Sequence, residues 1–127
     1  VDRDVMKLII RWEPEKLAVL MDDIRYRVQP HCDMFLSANN FLEFAPLGSN
    51  KATGLKVLSD YLGLDMNEVV AVGDNFNDMD MIMAAGLGIA VNNAVEEVKA
   101  IADYITQADN DNNAIKEVVE MVLKEYK

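Results

Sequence analysis

The residues best suited to chemistry lie in one short acidic turn. An apolar run, Val69-Val70-Ala71-Val72, ends at Gly73 and is followed by Asp74-Asn75-Phe76-Asn77-Asp78. A short apolar run, a turn and then a Met/Ala-rich helix are typical of a buried parallel strand that delivers side chains to a site at its carboxyl end. Two carboxylates and two carboxamides crowd that end, and the like charges repel unless a cation or a phosphate-bound metal lies there. The turn therefore predicts a metal or phosphate site, with a solvated acidic loop that caps a helix as the alternative.

The elements that position this turn alternate between helices and strands. The pattern predicts helix 49–62, strand 69–73, helix 77–85, strand 88–91, helix 94–102, strand 104–106 and helix 113–126. Such an alternation is typical of a right-handed parallel α/β series. In the first helix we expect Leu55, Leu58 and Leu62 to face inward, with Gly63 as terminator. Asn113 is predicted to cap the last helix.

The first part of the chain has a different pattern. Residues 6–12 read as a strand, and Pro14 opens a helix because proline is pre-set for the first helical turn. Residues 31–37 and 41–45 read as two strands joined around Asn39-Asn40, a pair that tolerates positive φ. This part therefore predicts an α+β unit rather than a parallel one.

Three segments occur in an order that resembles a known family. They are Ser49-Asn50-Lys51-Ala52-Thr53-Gly54, Gly73 to Met81, and Gly88-Ile89-Ala90-Val91-Asn92-Asn93-Ala94. Together they resemble the later part of the haloacid dehalogenase superfamily, in its Cof-type branch of phosphatases with a large α/β cap. The resemblance implies an α/β fold in which 1–46 is the end of an α+β cap domain. Residues 47–127 would then be the C-terminal part of a Rossmann-like, parallel, three-layer core.

The resemblance also implies a reaction and its residues. A Mg2+-dependent phosphatase of this kind hydrolyses small phosphorylated metabolites through an aspartyl-phosphate intermediate. Asp74 is then a metal ligand, and Asp78 is a metal carboxylate, direct or indirect, that also orients Lys51. Lys51 stabilises the phosphoryl group from the first turn of its helix. Asn77 and Asn93 contact the phosphate or substrate, although capping of the helix from Ala94 explains Asn93 nearly as well.

Part of the family pattern is not found in this chain. The family nucleophile lies in an Asp-x-Asp-Gly turn, and neither Asp78-Met79-Asp80 nor Asp109-Asn110-Asp111 fits that turn. We therefore expect the nucleophile to precede Val1, in a longer enzyme of which this chain is the C-terminal portion, inactive when isolated. Strand 69–72 should then carry an unpaired edge, through which the chain associates with itself or with its N-terminal portion. Near the C-terminus, Asn112-Asn113 stands where the family usually carries an acid and a glycine.

Composition limits the other functions that are open. The formal net charge of −10 argues against nucleic acid and anionic membranes as partners. Cys32 is the sole cysteine, which favours a reducing, cytoplasmic setting, and no apolar run is long enough to cross a bilayer. A non-catalytic remnant or interaction module with the same fold remains an alternative to the phosphatase. A Rossmann-type nucleotide binder is weakly supported because no G-x-G-x-x-G follows a strand.

Overall fold

The computed structural model describes residues 6–125, with the side chain of residue 125 excepted. The chain divides into two compact units, residues 1–50 and residues 51–127. The predicted final residue of the last helix, at position 126, lies outside the described residues. No helix within residues 6–125 is both long enough and apolar enough to cross a membrane.

The first unit is a three-stranded antiparallel sheet with one helix. Its elements are β1 (Leu8–Arg11), α1 (Pro14–Val28), β2 (Asp33–Ala38) and β3 (Phe41–Ala45), with strand order β1-β3-β2. Pro14 begins α1 as expected, and the helix buries Leu17 completely. The turn between β2 and β3 needs no positive φ, because Asn113 is the only non-glycine residue in the described chain that has one. An irregularity between Leu36 and Ala38 shifts the register beside that turn instead.

The second unit is a parallel α/β layer structure. Its elements are α2 (Lys51–Leu62), β4 (Val70–Gly73), α3 (Met79–Ala84), β5 (Leu87–Ala90), α4 (Glu96–Ile101), β6 (Tyr104–Ile105) and α5 (Ala114–Glu125). Short 3-10 turns, Met66–Glu68 and Phe76–Asp78, precede β4 and α3. The strands run parallel in the order β4-β5-β6, so β4 is an edge strand within residues 6–125. The α/β fold and the parallel pairing of strand 69–73 with strand 88–91 are therefore confirmed.

The core of the second unit includes Ala90, the last residue of β5, and residues of the segments that follow it. Its buried members share small or branched apolar side chains and are Ile82, Ala90, Val91, Ala94, Val98 and Ala114. Small side chains let the helices and the β5 segment approach closely, as close packing requires. The carboxyl end of β5 is therefore part of the buried core.

The prediction that Leu58 and Leu62 face inward is wrong. Both side chains are more than half exposed, and the buried position of α2 is Ser59. Ser59 satisfies its hydroxyl by donating to the carbonyl of Leu55 at 2.9 Å, so it can be buried at little cost. Ser59 lies one helical turn after the partly buried Leu55, so the buried face of α2 contains both residues, and Leu58 and Leu62 lie toward its exposed edge. Gly63 ends the helix with φ +69°, as predicted.

Candidate active site

Gly73 at the end of β4 leaves no room for a side chain. A Cβ atom built there would lie 2.8 Å from Cγ and 2.9 Å from Oδ2 of Asp78. The carbonyl of Gly73 accepts a hydrogen bond from the amide of Val91 at 3.2 Å, which continues the parallel ladder to the strand end. Glycine at this position therefore lets the carboxylate of Asp78 lie directly against the end of β4.

Asp78 is the buried centre of the site. Only 4% of its surface is exposed, and Oδ2 accepts hydrogen bonds from the amides of Asp74 at 3.0 Å and Asn75 at 3.2 Å. Asn75 completes a capping box in return, because its side chain accepts from the backbone of the Phe76–Asp78 turn. The acidic turn is therefore folded around Asp78, and two of its backbone donors are satisfied by this carboxylate.

Lys51, the first residue of α2, reaches the same carboxylate. Its ammonium donates to Oδ1 of Asp78, and the two form an ion pair in which the lysine side chain is half exposed and the aspartate is buried. Burial by itself raises the pKa of Asp78, but the hydrogen bonds from Lys51 and from the amides of Asp74 and Asn75 outweigh it. The pKa of this carboxyl group is therefore held below its ordinary value, and Asp78 is an anion.

Asp74 and Asn77 belong to the same turn as Asp78, and their side chains form no hydrogen bond within residues 6–125. Both are partly buried. Within residues 6–125, nothing donates to the carboxylate of Asp74, and the carboxamide of Asn77 has no hydrogen-bond partner. The backbone of Asp74 is fixed on both sides, since its amide donates to Asp78 and its carbonyl accepts from Val95 at 3.0 Å. The turn thus holds the backbone in place and leaves these two polar side chains open to a ligand.

The donor set fits a weakly chelated, hard cation. No group of three or more acidic, histidine or cysteine side chains with metal-binding geometry occurs in the described part of the chain. Mg2+ does not need such a cage, because it keeps several waters and takes one or two carboxylates together with substrate phosphate oxygens. The carboxylate of Asp74 suits that role, whereas both oxygens of Asp78 already accept hydrogen bonds.

Asn93 lies in the loop after β5, and its side chain is engaged elsewhere. Its Nδ2 donates to Oδ1 of Asn110 at 2.9 Å, and its Oδ1 accepts from the amide of Asn110 at 3.0 Å. It does not cap α4, since that helix begins after Val95 without a side-chain cap. The structure thus brings Lys51, Asp74, Asn77 and Asp78 together and ties Asn93 to the loop after β6. Its predicted contact with substrate stays a prediction.

Two residues of this region were not anticipated from the sequence. Asn110 is the partner of Asn93, and Glu117 in α5 accepts hydrogen bonds from the amides of Gln107 and Ala108 and from the hydroxyl of Tyr104. The two amide bonds and the hydroxyl bond hold the pKa of Glu117 below its ordinary value. The bond to Glu117 raises the pKa of Tyr104. Neither residue has a local sequence signal, because both roles depend on a loop that returns from β6.

Asn113 occupies a left-handed backbone conformation. Its φ is +68°, which side chains other than asparagine and aspartate rarely tolerate and which glycine adopts freely. Its carbonyl begins α5 by accepting from the amides of Lys116 at 2.9 Å and Glu117 at 3.3 Å. The predicted N-cap position is therefore right, but its backbone is not the extended one that N-caps usually have.

Comparison with known proteins places this sequence in a family. A family model described as haloacid dehalogenase-like hydrolase matches residues 1–119. The chain is 38% identical over 108 residues to the 5-amino-6-(5-phospho-D-ribitylamino)uracil phosphatase YcsE of Bacillus subtilis, covering 80% of this chain and 43% of that protein. It is 42% identical over 69 residues to a phosphoglycolate phosphatase of Methanosarcina acetivorans, covering 54% of this chain and 30% of that protein.

A solved structure gives the same result for the fold. The crystal structure of a haloacid dehalogenase-like hydrolase from Bacteroides thetaiotaomicron matches with a TM-score of 0.80 and 38% identity, covering 96% of this chain and 46% of that one. The chain therefore spans less than half the length of each of these three proteins. The family match extends over nearly the whole sequence and includes every residue of the site. The chain belongs to the haloacid dehalogenase-like hydrolase family.

Proposed function

We propose that this chain forms part of a Mg2+-dependent phosphatase that hydrolyses small phosphorylated metabolites through an aspartyl-phosphate intermediate. The nucleophilic aspartate of that enzyme would lie outside residues 1–127. The relatives are longer than this chain, and their names describe the activities of the complete proteins. Two of those relatives are named as phosphatases of different small phosphate monoesters, which supports the reaction class but not one substrate.

One observation carries the proposal. The Lys51–Asp78 ion pair is built into the carboxyl end of β4, next to the uncommitted carboxylate of Asp74. An isolated exposed lysine would be a solvated side chain, but this lysine is tied to an aspartate that is 4% exposed. The ammonium of Lys51 is thus held beside the free carboxylate of Asp74. A positive group for the phosphoryl oxygens next to a carboxylate for the metal is the charge arrangement that phosphoryl transfer requires.

Each residue has a distinct task in this proposal. Lys51 binds the phosphoryl oxygens, and its charge adds to the positive end of α2. Asp78 orients the ammonium of Lys51 and fixes the backbone of the turn. Asn77 donates its free amide to the phosphate. A direct metal contact from Asp78 is the weaker assignment, because a metal would have to displace donors that the carboxylate already accepts.

Asp74 is the residue that would hold the metal. When bound, Mg2+ would reduce the repulsion between an attacking carboxylate and the phosphate. The contribution of the chain is to present one carboxylate whose backbone is fixed at both ends, by Asp78 on one side and Val95 on the other. Such a fixed ligand needs little reorganisation on binding.

The surroundings of the reaction are part of the proposal. A single cysteine supports a reducing cytoplasm, and the formal net charge of −10 supports small soluble substrates rather than nucleic acid or an anionic membrane.

The test uses the full-length protein that contains this chain. We expect Mg2+-dependent hydrolysis of p-nitrophenyl phosphate and of a panel of phosphorylated metabolites. Lys51→Ala and Asp74→Asn should each lower kcat by about 100-fold or more, since each removes charge stabilisation at the reacting centre. Lys56→Ala is the matched control, because Lys56 lies in the same helix but pairs with Asp60 on its exposed side.

The outcomes distinguish a phosphatase from a non-catalytic module with the same fold. Normal activity in Lys51→Ala or Asp74→Asn would remove that residue from the mechanism. No hydrolysis by the full-length protein, at any Mg2+ concentration and with any ester of the panel, would favour the non-catalytic module. Isolated 1–127 should turn over p-nitrophenyl phosphate far more slowly than about 1 per second, a rate at the low end for enzymes.

A further inference from the structure

The loop after β5 is held between Asp74 and the loop after β6. On one side, the amide of Val95 donates to the carbonyl of Asp74 at 3.0 Å. On the other side, the amide of Asn92 donates to Oγ1 of Thr106 at 3.1 Å, and Asn93 forms its two hydrogen bonds with Asn110. Residues 92–95 therefore connect the proposed metal ligand to a second loop.

That second loop is itself anchored. Thr106 is 1% exposed, and its hydroxyl donates to the carbonyl of Ala108 at 2.6 Å. The carboxylate of Glu117, a residue of α5, accepts hydrogen bonds from the amides of Gln107 and Ala108, each at 3.0 Å. The part of the loop that precedes Asn110 is thus fixed to a helix, so Asn110 offers Asn93 a stationary partner.

The Asn93–Asn110 pair differs from an ordinary surface contact. It joins residues 17 positions apart through one side-chain to side-chain bond and one backbone to side-chain bond, so its geometry is defined at two points. Both polar atoms of the Asn93 carboxamide are used, which leaves its remaining N–H as the free donor. With both atoms engaged, the Asn93 carboxamide is held in the orientation that its two contacts with Asn110 set.

We infer that Asn93 and Asn110 form a clasp that positions Asp74. The clasp holds residues 92–95 against the carbonyl of Asp74 and so fixes the backbone from which the metal-binding carboxylate extends. Asn93 and Asn110 are then positioning residues, and neither touches the substrate. The inference rests on the proposed function for its effect on catalysis, but the clasp itself can be measured without turnover.

The pair offers graded variants for a test. Asn93→Ala removes both hydrogen bonds, and Asn110→Ala removes only the bond from Nδ2 of Asn93. Asn110→Asp keeps both, because its carboxylate accepts from Nδ2 and its backbone amide still donates. Asn112→Ala is the matched control, since Asn112 lies in the same loop but its side chain donates to Asp109 at 2.7 Å instead.

Hydrogen exchange of the Val95 amide in the full-length protein is the direct readout. Exchange should accelerate about tenfold in Asn93→Ala and about threefold in Asn110→Ala, the scale expected for losing two and one net hydrogen bonds. Asn110→Asp and Asn112→Ala should exchange at the wild-type rate. The Mg2+ concentration that gives half-maximal turnover should rise in the same order, and the double alanine variant should resemble Asn93→Ala.

Other outcomes overturn the clasp. If Asn93→Ala impairs turnover while Asn110→Ala does not, and Val95 exchange is unchanged in both, Asn93 acts on the substrate directly. If Asn110→Asp is as defective as Asn110→Ala, the hydrogen-bond pattern is not the cause. If the wild-type protein hydrolyses no phosphate ester, the proposed function fails, and Val95 exchange alone decides whether the clasp exists.

Discussion

Replacing Gly73 by alanine should disrupt the site by steric overlap alone. The backbone of Gly73 is not in the left-handed region, so alanine is compatible with its φ. The added methyl group would nevertheless lie 2.8 Å from Cγ of Asp78. Cγ is close to the backbone of Asp78 and cannot move away as the tip of a long side chain can. The overlap is therefore relieved only if the backbone of the 76–78 turn shifts.

The magnitude follows from the bonds that such a shift weakens. Asp78 accepts from Lys51 and from the amides of Asp74 and Asn75. Overpacking costs about 1–3 kcal/mol, and each lost hydrogen bond to a charged group costs about 1.5–3 kcal/mol. Partial loss of this network should therefore lower the free energy of unfolding by about 3 kcal/mol or more. With a urea slope of about 1–3 kcal/mol/M, the unfolding midpoint should fall by about 1–3 M.

Gly54→Ala is a matched control, for which we expect a rise rather than a fall in the free energy of unfolding. Gly54 lies within α2, and a Cβ atom there meets nothing within 4 Å. Alanine in an exposed helix should raise the free energy of unfolding by about 0.5–1 kcal/mol. Urea unfolding and turnover of both full-length variants test the reasoning. It is refuted if Gly73→Ala is as stable as wild type and keeps its activity.

Three further predictions concern other features. Asn113→Ala should lower the free energy of unfolding by about 1 kcal/mol, whereas Asn113→Gly should be neutral or stabilising, and thermal unfolding would distinguish them. Because the pKa values of Asp78 and Glu117 are depressed in the folded state, their stabilisation is complete above their ordinary values near pH 4. It should be lost as the pH falls through the folded values, and Glu117→Gln should weaken this acid dependence in titrated unfolding curves. Isolated 1–127 should associate through the edge of β4 or be only marginally folded, because β4 is an edge strand within residues 6–125 and its unpaired N–H and C=O groups are a template for pairing with another chain. Light scattering and hydrogen exchange would contradict this by finding a compact, stable monomer in which residues 69–72 exchange rapidly.

The parts of the fold that the sequence could predict are those with a local cause. The run 69–73 ends at Gly73 and is followed by polar residues, and β4 and its turn appear where that pattern places them. Pro14 and Gly63 likewise act through their own backbone preferences. The assignment of residues 1–46 to a cap domain remains a prediction, although the chain does divide into two compact units.

The parts that the sequence could not predict depend on tertiary choice. Helical periodicity places Leu55, Leu58 and Leu62 along one apolar side of α2, but the buried face is rotated toward Ser59, so Leu55 is partly buried while Leu58 and Leu62 are more than half exposed. A helix with apolar residues on more than one side has no single inward face in its sequence. The role of Asn93 was open for the same reason, since its partner Asn110 belongs to a different loop.

Asn113 illustrates how a departure from a family pattern can preserve a conformation. The family resemblance places a glycine there, and the loss of that glycine casts doubt on the loop when only residue types are compared. The structure shows φ +68° at this position, which is the conformation that glycine adopts readily and asparagine tolerates better than most other residues. The backbone requirement is therefore retained while the side chain changes. Since Asn110 lies in the same loop and holds Asn93, keeping this turn also keeps the partner on which the proposed clasp depends.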